Sequence, residues 1–166
     1  CVAWNACPAD LHIEHLTERV QTGRGGLVAV VGGRGAGKSS FLGALAARLP
    51  NAIHIVCPQN PQPDDIRDRI LQQTRPDASQ AESADSMRLV LLDDAHLLAR
   101  PVLGGLRPFE EIVSLAKGTD LWVVAIDAVL WPLLNRGLDV RPVFDEVRVI
   151  QPWTEEQLGL LLQERS

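Results

Sequence analysis

The sequence has few cysteines, no excess of basic residues and no long apolar run. Three cysteines at irregular spacing among 166 residues predict no disulfide framework and favour a reduced setting. The net charge of −5 gives no support to a nucleic-acid-binding domain, which usually has a basic surface. A local arginine patch is still compatible with that total. The longest apolar runs, LVAVV, LVLL and LWVVAI, are far shorter than a membrane span, and no signal-peptide pattern opens the chain.

The length and composition indicate one globular domain with its own core. Hydrophobic residues make up 46% and charged residues 22% of the chain, as is ordinary for soluble domains. The chain begins with Cys1 instead of Met, and its last residues read as a helix that has only begun. We therefore expect a piece of a longer protein, whose other parts could include a membrane anchor.

Strand-like and helix-like segments alternate along the chain. Asp10 is a predicted helix cap, and residues 74–86 are so polar that they predict a surface loop or a disordered connection. The alternation predicts an α/β fold of three layers with a mostly parallel, five-stranded sheet. The predicted helices are 10–21, 38–50, 64–73, 109–118 and one from 154, and the predicted strands are 27–31, 51–57, 88–94, 121–127 and 146–150.

The stretch GGRGAGKSS, residues 32–40, fits the spacing G-x-x-x-x-G-K-[ST] between a predicted strand and a predicted helix. Its glycines let successive backbone N–H groups point at phosphate oxygens, and the helix adds its positive N-terminus. Lys38 is predicted to bridge the β- and γ-phosphates of ATP, and the Ser39 hydroxyl to ligate Mg²⁺. The predicted nucleotide-binding residues are Gly32, Gly33, Arg34, Gly35, Ala36, Gly37, Lys38, Ser39 and Ser40, the last as a helix residue at the edge of the set.

A second motif, LVLLDD, ends a predicted buried strand with two carboxylates. Asp93 lies where a P-loop site needs a carboxylate for Mg²⁺, so we predict Asp93 and Ser39 as the metal-binding pair. Asp94 is the predicted catalytic residue that polarises the attacking water. His96 is predicted at the surface, with a proton relay as the alternative.

With these two motifs in place, the chain resembles the AAA+ ATPases and the related STAND NTPases in element order over residues 10–166. The resemblance implies a P-loop NTPase core domain over 1–153 and the start of a helical lid over 154–166. AAA+ proteins usually carry glutamate after the magnesium aspartate, whereas this chain has Asp94. The resemblance therefore implies slow hydrolysis, as in a switch, instead of the fast turnover of a motor.

Further site residues are implied by the same resemblance. Asp127, at the end of the fourth predicted strand, takes the place of the polar sensor residue near the γ-phosphate; alternatively, it caps the turn that follows. Arg136 and Arg141 lie where AAA+ subunits carry an arginine finger for a neighbour's nucleotide, and Arg141 is the predicted catalytic one. Either arginine could instead be an ordinary surface charge.

The leading functional prediction is Mg²⁺-dependent ATP hydrolysis coupled to conformational change or oligomerisation. One alternative is a switch that binds ATP and scarcely hydrolyses it, and another is a P-loop kinase, although no arginine-rich lid is present. No N-K-x-D or L-S-G-G-Q sequence occurs, which disfavours a GTPase and an ABC transporter subunit. The expected partners are ATP and ADP, further copies of the chain, and a client protein or nucleic acid. The expected location is cytoplasmic, including as the cytoplasmic domain of a larger protein, with no membrane insertion by this segment.

Overall fold

The computed structural model describes residues 8–49, 51–57, 68, 72, 87–99, 104–116, 118, 120–137 and 144–152. The helices are α1 (Pro8–Gln21), α2 (Lys38–Arg48), a 3₁₀ helix (Ala95–Leu98), α3 (Arg107–Leu115) and α4 (Trp131–Gly137). The strands are β1 (Gly26–Gly32), β2 (Ile53–Val56), β3 (Leu89–Asp93), β4 (Leu121–Asp127) and β5 (Glu146–Val149). Within this part of the chain all five predicted strands are present, and described helices follow β1, β3 and β4.

The five strands form one sheet in the order β2-β3-β4-β1-β5, and every pairing is parallel. The longest strands, β1 and β4, lie side by side and pair along their full seven-residue length. They are buried on both faces, which explains why their sequences are continuous apolar runs without alternation. The predicted fold class is confirmed.

Helices cover both faces of this sheet. Alternate residues of β1 point to opposite faces: Val28 and Val30 belong to a core that includes residues of α1 and α2, and Ala29 and Val31 to the other core. That second core includes residues of the 3₁₀ helix, α3 and α4. The strands are therefore held from both sides, and their carboxyl ends are fixed relative to one another.

Several predicted boundaries are corrected. Helix α1 begins at Pro8, so Asp10 lies inside the first turn and the predicted cap is wrong; proline suits this turn because a first-turn N–H has no helical partner. The 3₁₀ helix and α4 are not among the predicted helices. For the stretch after β4 the sequence predicts only a turn. Predicted segments 64–73, 74–86 and 154–166 lie outside the described residues, apart from positions 68 and 72. Among the described helices, none is long and apolar enough to cross a membrane.

Candidate functional site

Three neighbouring parallel strands end at the same edge of the sheet and bring the predicted motifs together. Strand β1 leads into the glycine loop, β3 ends at Asp93, and β4 ends at Asp127, which pairs with Gly32. Ligands of open α/β sheets bind at the carboxyl ends of their strands. A cavity of about 630 Å³ lies at this edge, lined by Arg34, Gly35, Gly37, Lys38, Ser39, Ser40, Asp94, His96, Leu97 and Asp127.

The glycine loop adopts a conformation that depends on its glycines. Gly35 and Gly37 have φ of 76° and 93°, the left-handed region that side chains other than glycine seldom enter. At Gly32 a Cβ would lie 3.0 Å from the backbone oxygen of Ile150 and 3.3 Å from the Ala36 Cβ. Any other residue at these positions would strain the backbone or crowd its neighbours, independently of any ligand.

Lys38 opens helix α2 and is nearly buried, with 8% of its surface exposed. Its Nζ donates hydrogen bonds to the carbonyl oxygens of Gly32 at 2.9 Å and Gly33 at 2.8 Å. A buried ammonium is costly unless such acceptors stabilise it, and these two bonds leave the third N–H donor for another acceptor. The loop thus holds a positive charge at the cavity wall.

The N-terminus of α2 adds further positive potential at the same wall. Its capping residue Gly37 provides no side-chain hydrogen bond, and the first turn contains no acidic residue. The helix is anchored in the core by Phe41, Leu42 and Leu45, so its first N–H groups are held in place. Such an end is an anion-binding site through its free N–H groups and its dipole.

The two aspartates at the carboxyl end of β3 have opposite surroundings. Asp93 is 3% exposed, and its Oδ1 accepts a hydrogen bond from the Asp94 N–H at 2.8 Å. Asp94 has 42% of its side chain exposed and lines the cavity. With φ of 53° and ψ of 32°, Asp94 is the one non-glycine residue with positive φ in the described chain. Backbone strain of this kind is concentrated at functional sites.

The 3₁₀ helix after Asp94 carries His96 to the cavity, where the prediction had put it at the surface. Ala95 and Leu98 are buried in the core, and the Leu97 N–H donates to the Asp94 carbonyl oxygen at 2.9 Å. This anchoring turns His96 and Leu97 towards the cavity wall. His96 is thus a partly exposed residue of the cavity wall, because the tertiary contacts of its neighbours decide where the ring lies.

Asp127 fulfils its alternative role and also lies at the cavity. Its Oδ1 accepts a hydrogen bond from the Val129 N–H at 2.8 Å, which caps the turn after β4 as predicted. The same residue lines the cavity together with Asp94, so two carboxylates and two cationic side chains, Arg34 and Lys38, contribute to its wall.

Cys57, directly after β2, lies beside Asp93 at the end of β3. Its backbone N–H donates to the Asp93 carbonyl oxygen at 3.0 Å, and its side chain is buried. Burial, with smaller contributions from Asp94 and Asp93, raises the pKa of the Cys57 thiol to about 12. The thiol is therefore neutral and unreactive near neutral pH.

The remaining predicted site residues divide between the cavity and other places. Arg34, Ser39 and Ser40 are exposed at the cavity. Arg136 is exposed on α4 and does not line the cavity, and Arg141 lies outside the described residues. Leu97 also lines the cavity and is not among the predicted site residues. The sequence DDAHLL gives no sign that Leu97 lines the cavity whereas Leu98 is buried in the core.

Comparisons with known proteins agree on the fold. A model of the family described as "AAA domain" matches residues 21–126, and no curated protein matches the chain. Among solved structures, the Drosophila ORC bound to DNA is similar at a TM-score of 0.69 and 17% identity, over 96% of this chain and 45% of that one.

Two further structures resemble the chain in the same way. The Aeropyrum pernix Orc1 protein in complex with DNA gives a TM-score of 0.63 and 17% identity over 95% of this chain and 49% of its own. The Thermotoga maritima RuvB Holliday junction branch migration motor gives a TM-score of 0.58 and 15% identity, over 93% of this chain and 48% of its own. The chain thus spans less than half of each of these three proteins, and the likeness concerns their fold.

Proposed function

The chain belongs to the AAA domain family of P-loop ATPases, and from this membership we propose that it binds Mg·ATP in the cavity described above and hydrolyses it. One observation carries the proposal: the ends of β1, β3 and β4 bring the glycine loop, Lys38, Asp93 and Asp94 to one edge of the sheet.

We assign phosphate binding to residues 32–40. The left-handed glycines shape the loop so that backbone N–H groups can face an anion, and the start of α2 adds its dipole. Lys38 is nearly buried beside the loop and has a donor left for a phosphate oxygen. The charge of a triphosphate is thereby offset by Lys38, Arg34 and the helix end.

The donors present fit a magnesium ion that is shared with the nucleotide. Among the described residues, no group of three His, Cys, Asp or Glu side chains could hold a metal alone. Mg²⁺ in ATPases needs only one or two protein oxygens beside phosphates and water, and Asp93 and Ser39 would supply them. The hydrogen bond to Asp93 Oδ1 orients its carboxylate. When bound, the ion neutralises charge that develops on the phosphate oxygens.

Asp94 is our proposed catalytic carboxylate. It is exposed to the cavity, whereas Asp93 is buried, so Asp94 is free to accept a hydrogen bond from a water molecule. That water attacks the γ-phosphorus, the bond to the β,γ-bridging oxygen breaks, and ADP and inorganic phosphate leave. Aspartate is one methylene shorter than the glutamate usual at this position, so we expect slow turnover.

A switch that binds ATP and scarcely hydrolyses it is the second candidate, favoured by Asp94 in place of glutamate. In either case the γ-phosphate would bias how the core sits against a lid or a neighbouring copy. We propose further copies of the chain, through an arginine finger at Arg141, and a client protein or nucleic acid as partners. The proposed location is cytoplasmic, where ATP is available.

The test is ATP turnover by this chain over a wide range of protein concentrations, beside Lys38→Ala and Asp94→Asn. We expect wild-type specific activity to rise with concentration and both variants to lose it. Lys38→Ala should also weaken ATP binding by roughly 10- to 100-fold, since a charge-assisted hydrogen bond contributes about 1.5–3 kcal/mol. Tight, Lys38-dependent binding with background turnover would replace the hydrolase by the switch. No ATP binding at all would refute both.

A further inference from the structure

His96 is the part of the cavity wall that the proposed function leaves without a task. Its ring is mostly enclosed, with 23% of the side chain exposed, and it lines the cavity. Its Nδ1 is buried and has no hydrogen-bond partner within the described part of the chain. A buried polar atom without a partner is destabilising, so an arrangement that keeps one at the wall of the proposed site calls for an explanation.

Among the described residues, the anionic group that lies close to this nitrogen is the proposed catalytic carboxylate. The distance from His96 Nδ1 to Asp94 Oδ1 is 4.0 Å, which is about 1 Å too long for a hydrogen bond. His96 is held by the buried residues on either side of it, Ala95 and Leu98 being almost fully enclosed. Asp94 is half-exposed, and its side chain can therefore move to close the gap.

From this geometry, and resting on the proposed ATP hydrolysis, we propose that His96 is a positioning residue for Asp94. In the tautomer with its proton on Nδ1, His96 donates a hydrogen bond to the Asp94 carboxylate when Mg·ATP is bound. The bond fixes one carboxylate oxygen and directs the other at the attacking water. Apo sites often show such bonds lengthened, and they shorten in the substrate complex.

The Asp94 side chain has properties that make a positioning residue useful at this site. Asp94 is shorter than the usual glutamate and has no hydrogen bond from its side chain to another described residue. A carboxylate that rotates freely seldom presents an oxygen to the water in the required orientation, and small misplacements cost much of the rate. A fixed N–H donor from a rigid 3₁₀ helix reduces that freedom without blocking the cavity.

A matched pair of variants tests which nitrogen matters. His96→Asn places an amide N–H near the Nδ1 position, whereas His96→Gln, one methylene longer, places it near Nε2. We expect His96→Ala and His96→Gln to lower kcat by about tenfold or more, the range seen when a supporting hydrogen bond is removed. His96→Asn should keep kcat within about threefold of wild type, and the Kd for ATP should change less than about twofold in all three.

Folding of each variant is checked by thermal unfolding, so that a loss of structure is not mistaken for a loss of positioning. A loss that appears in the Kd instead of kcat would overturn the proposal. Equal kcat for Asn and Gln variants would overturn it as well, since the donor position would then be irrelevant.

A second measurement separates this proposal from the proposed hydrolysis. The chain has four histidines, so ¹⁵N-histidine spectra can be assigned by comparison with His96→Ala. Adding a non-hydrolysable ATP analogue with Mg²⁺ should shift the His96 Nδ1 signal in wild type and leave it unchanged in Asp94→Ala. If wild type binds ATP without turnover, the hydrolase proposal fails while this shift still decides the contact. An unchanged Nδ1 signal, or the same shift in both proteins, overturns the His96 proposal, and failure to bind the analogue overturns both proposals.

Discussion

At the scale of single residues, the site places two side chains of one residue type in different surroundings, which suit different proposed functions. Asp93 ends a strand buried on both faces, so its carboxylate is enclosed and held by the Asp94 N–H. Asp94 leaves the sheet with a left-handed backbone that turns its side chain into the cavity. A buried, oriented oxygen suits a cation, and an exposed one suits water.

Asp127 provides a prediction at this scale. Its carboxylate lies at the cavity that Asp94 also lines, and two negative charges near a triphosphate raise the free energy of the complex. Asp127→Asn keeps an oxygen that can accept the Val129 N–H and removes the charge. We expect the Kd for ATP to fall roughly fivefold, on the order of 1 kcal/mol at high effective dielectric.

The control for this prediction is Glu111→Gln, which removes one negative charge from an exposed position of α3 outside the cavity. Titration of a fluorescent ATP analogue at low and high salt measures both variants. A lower Kd in Asp127→Asn that shrinks at high salt identifies electrostatic repulsion. Equal Kd values in Asp127→Asn and wild type would show that other groups already offset the charge.

At the scale of elements, α1 and the edge strand β5 are joined by a polar cluster instead of an apolar seam. Glu146 on β5 forms ion pairs with Arg19 of α1, at 3.0 Å, and with Arg148 on its own strand. The Arg148 guanidinium lies 3.1 Å from His12 Nδ1 and 3.2 Å from His15 Nδ1. Both histidines therefore face a permanent positive charge.

This cluster predicts a stability that depends on pH. Burial, followed by the charges of Arg148 and His15, lowers the pKa of His12 from 6.5. The unfolded chain therefore binds a proton at His12 more readily than the folded chain, so stability is full above pH 6.5 and falls as the pH drops below it. In His12→Gln the free energy of unfolding should depend less on pH. Urea unfolding between about pH 5.5 and 7.5, at roughly one-unit steps, measures this.

His54→Gln is the matched control for His12, since His54 is exposed on β2 and away from the cluster. It should leave the pH dependence of unfolding as in wild type. Glu146 faces the same cluster and attracts protonated histidine, so it opposes part of the effect. A pH profile that is identical in wild type and His12→Gln would contradict the assignment.

The start of β1 gives a second prediction for an element. Gly26 has φ of 132°, and a Cβ there would lie 2.4 Å from Asp145 Oδ2 and 2.9 Å from an Arg19 guanidinium nitrogen. Gly26→Ala should therefore destabilise the fold by about 1–3 kcal/mol. Gly43 lies within α2 with open space around its Cβ position, so Gly43→Ala should stabilise by about 0.5–1 kcal/mol. Denaturant unfolding compares them, and equal shifts would refute this account.

The elements that could be predicted are those whose signal is contained in their own sequence. Strand β4 is predicted to the residue, because a continuous apolar run is bounded by Asp120 and a turn. The glycine loop is predicted in place because its spacing requires a strand before it and a helix after it. The 3₁₀ helix is absent from the predicted elements because four residues are too few to show a helical pattern of apolar positions. Its position depends instead on the burial of Ala95 and Leu98 in the core. The location of His96 at the cavity wall depends on the same burial.

At the scale of the whole molecule, the described residues supply only part of what a fast ATPase needs. The cationic side chains of the cavity wall are Arg34 and Lys38, and both lie on the same loop. In the proposed complex, neither of them is available for charge that develops on the γ-phosphate at the side away from the glycine loop. The chain also spans less than half of each of the three similar structures.

Mixing two inactive variants tests whether a neighbouring copy supplies the missing cation. Lys38→Ala binds ATP roughly 10- to 100-fold more weakly, so its own sites stay mostly empty at an ATP concentration near the wild-type Kd, but it keeps Arg141. Arg141→Ala binds ATP but lacks the proposed finger. Each alone should have less than about a tenth of wild-type activity, because removing an arginine finger costs at least that factor. In an equimolar mixture, half of the sites bind ATP and half of those adjoin an intact finger, so about a quarter of wild-type activity should return. The same mixing with Arg136→Ala decides between the two arginines, and a mixture no more active than the mean of its components would place the finger outside this chain.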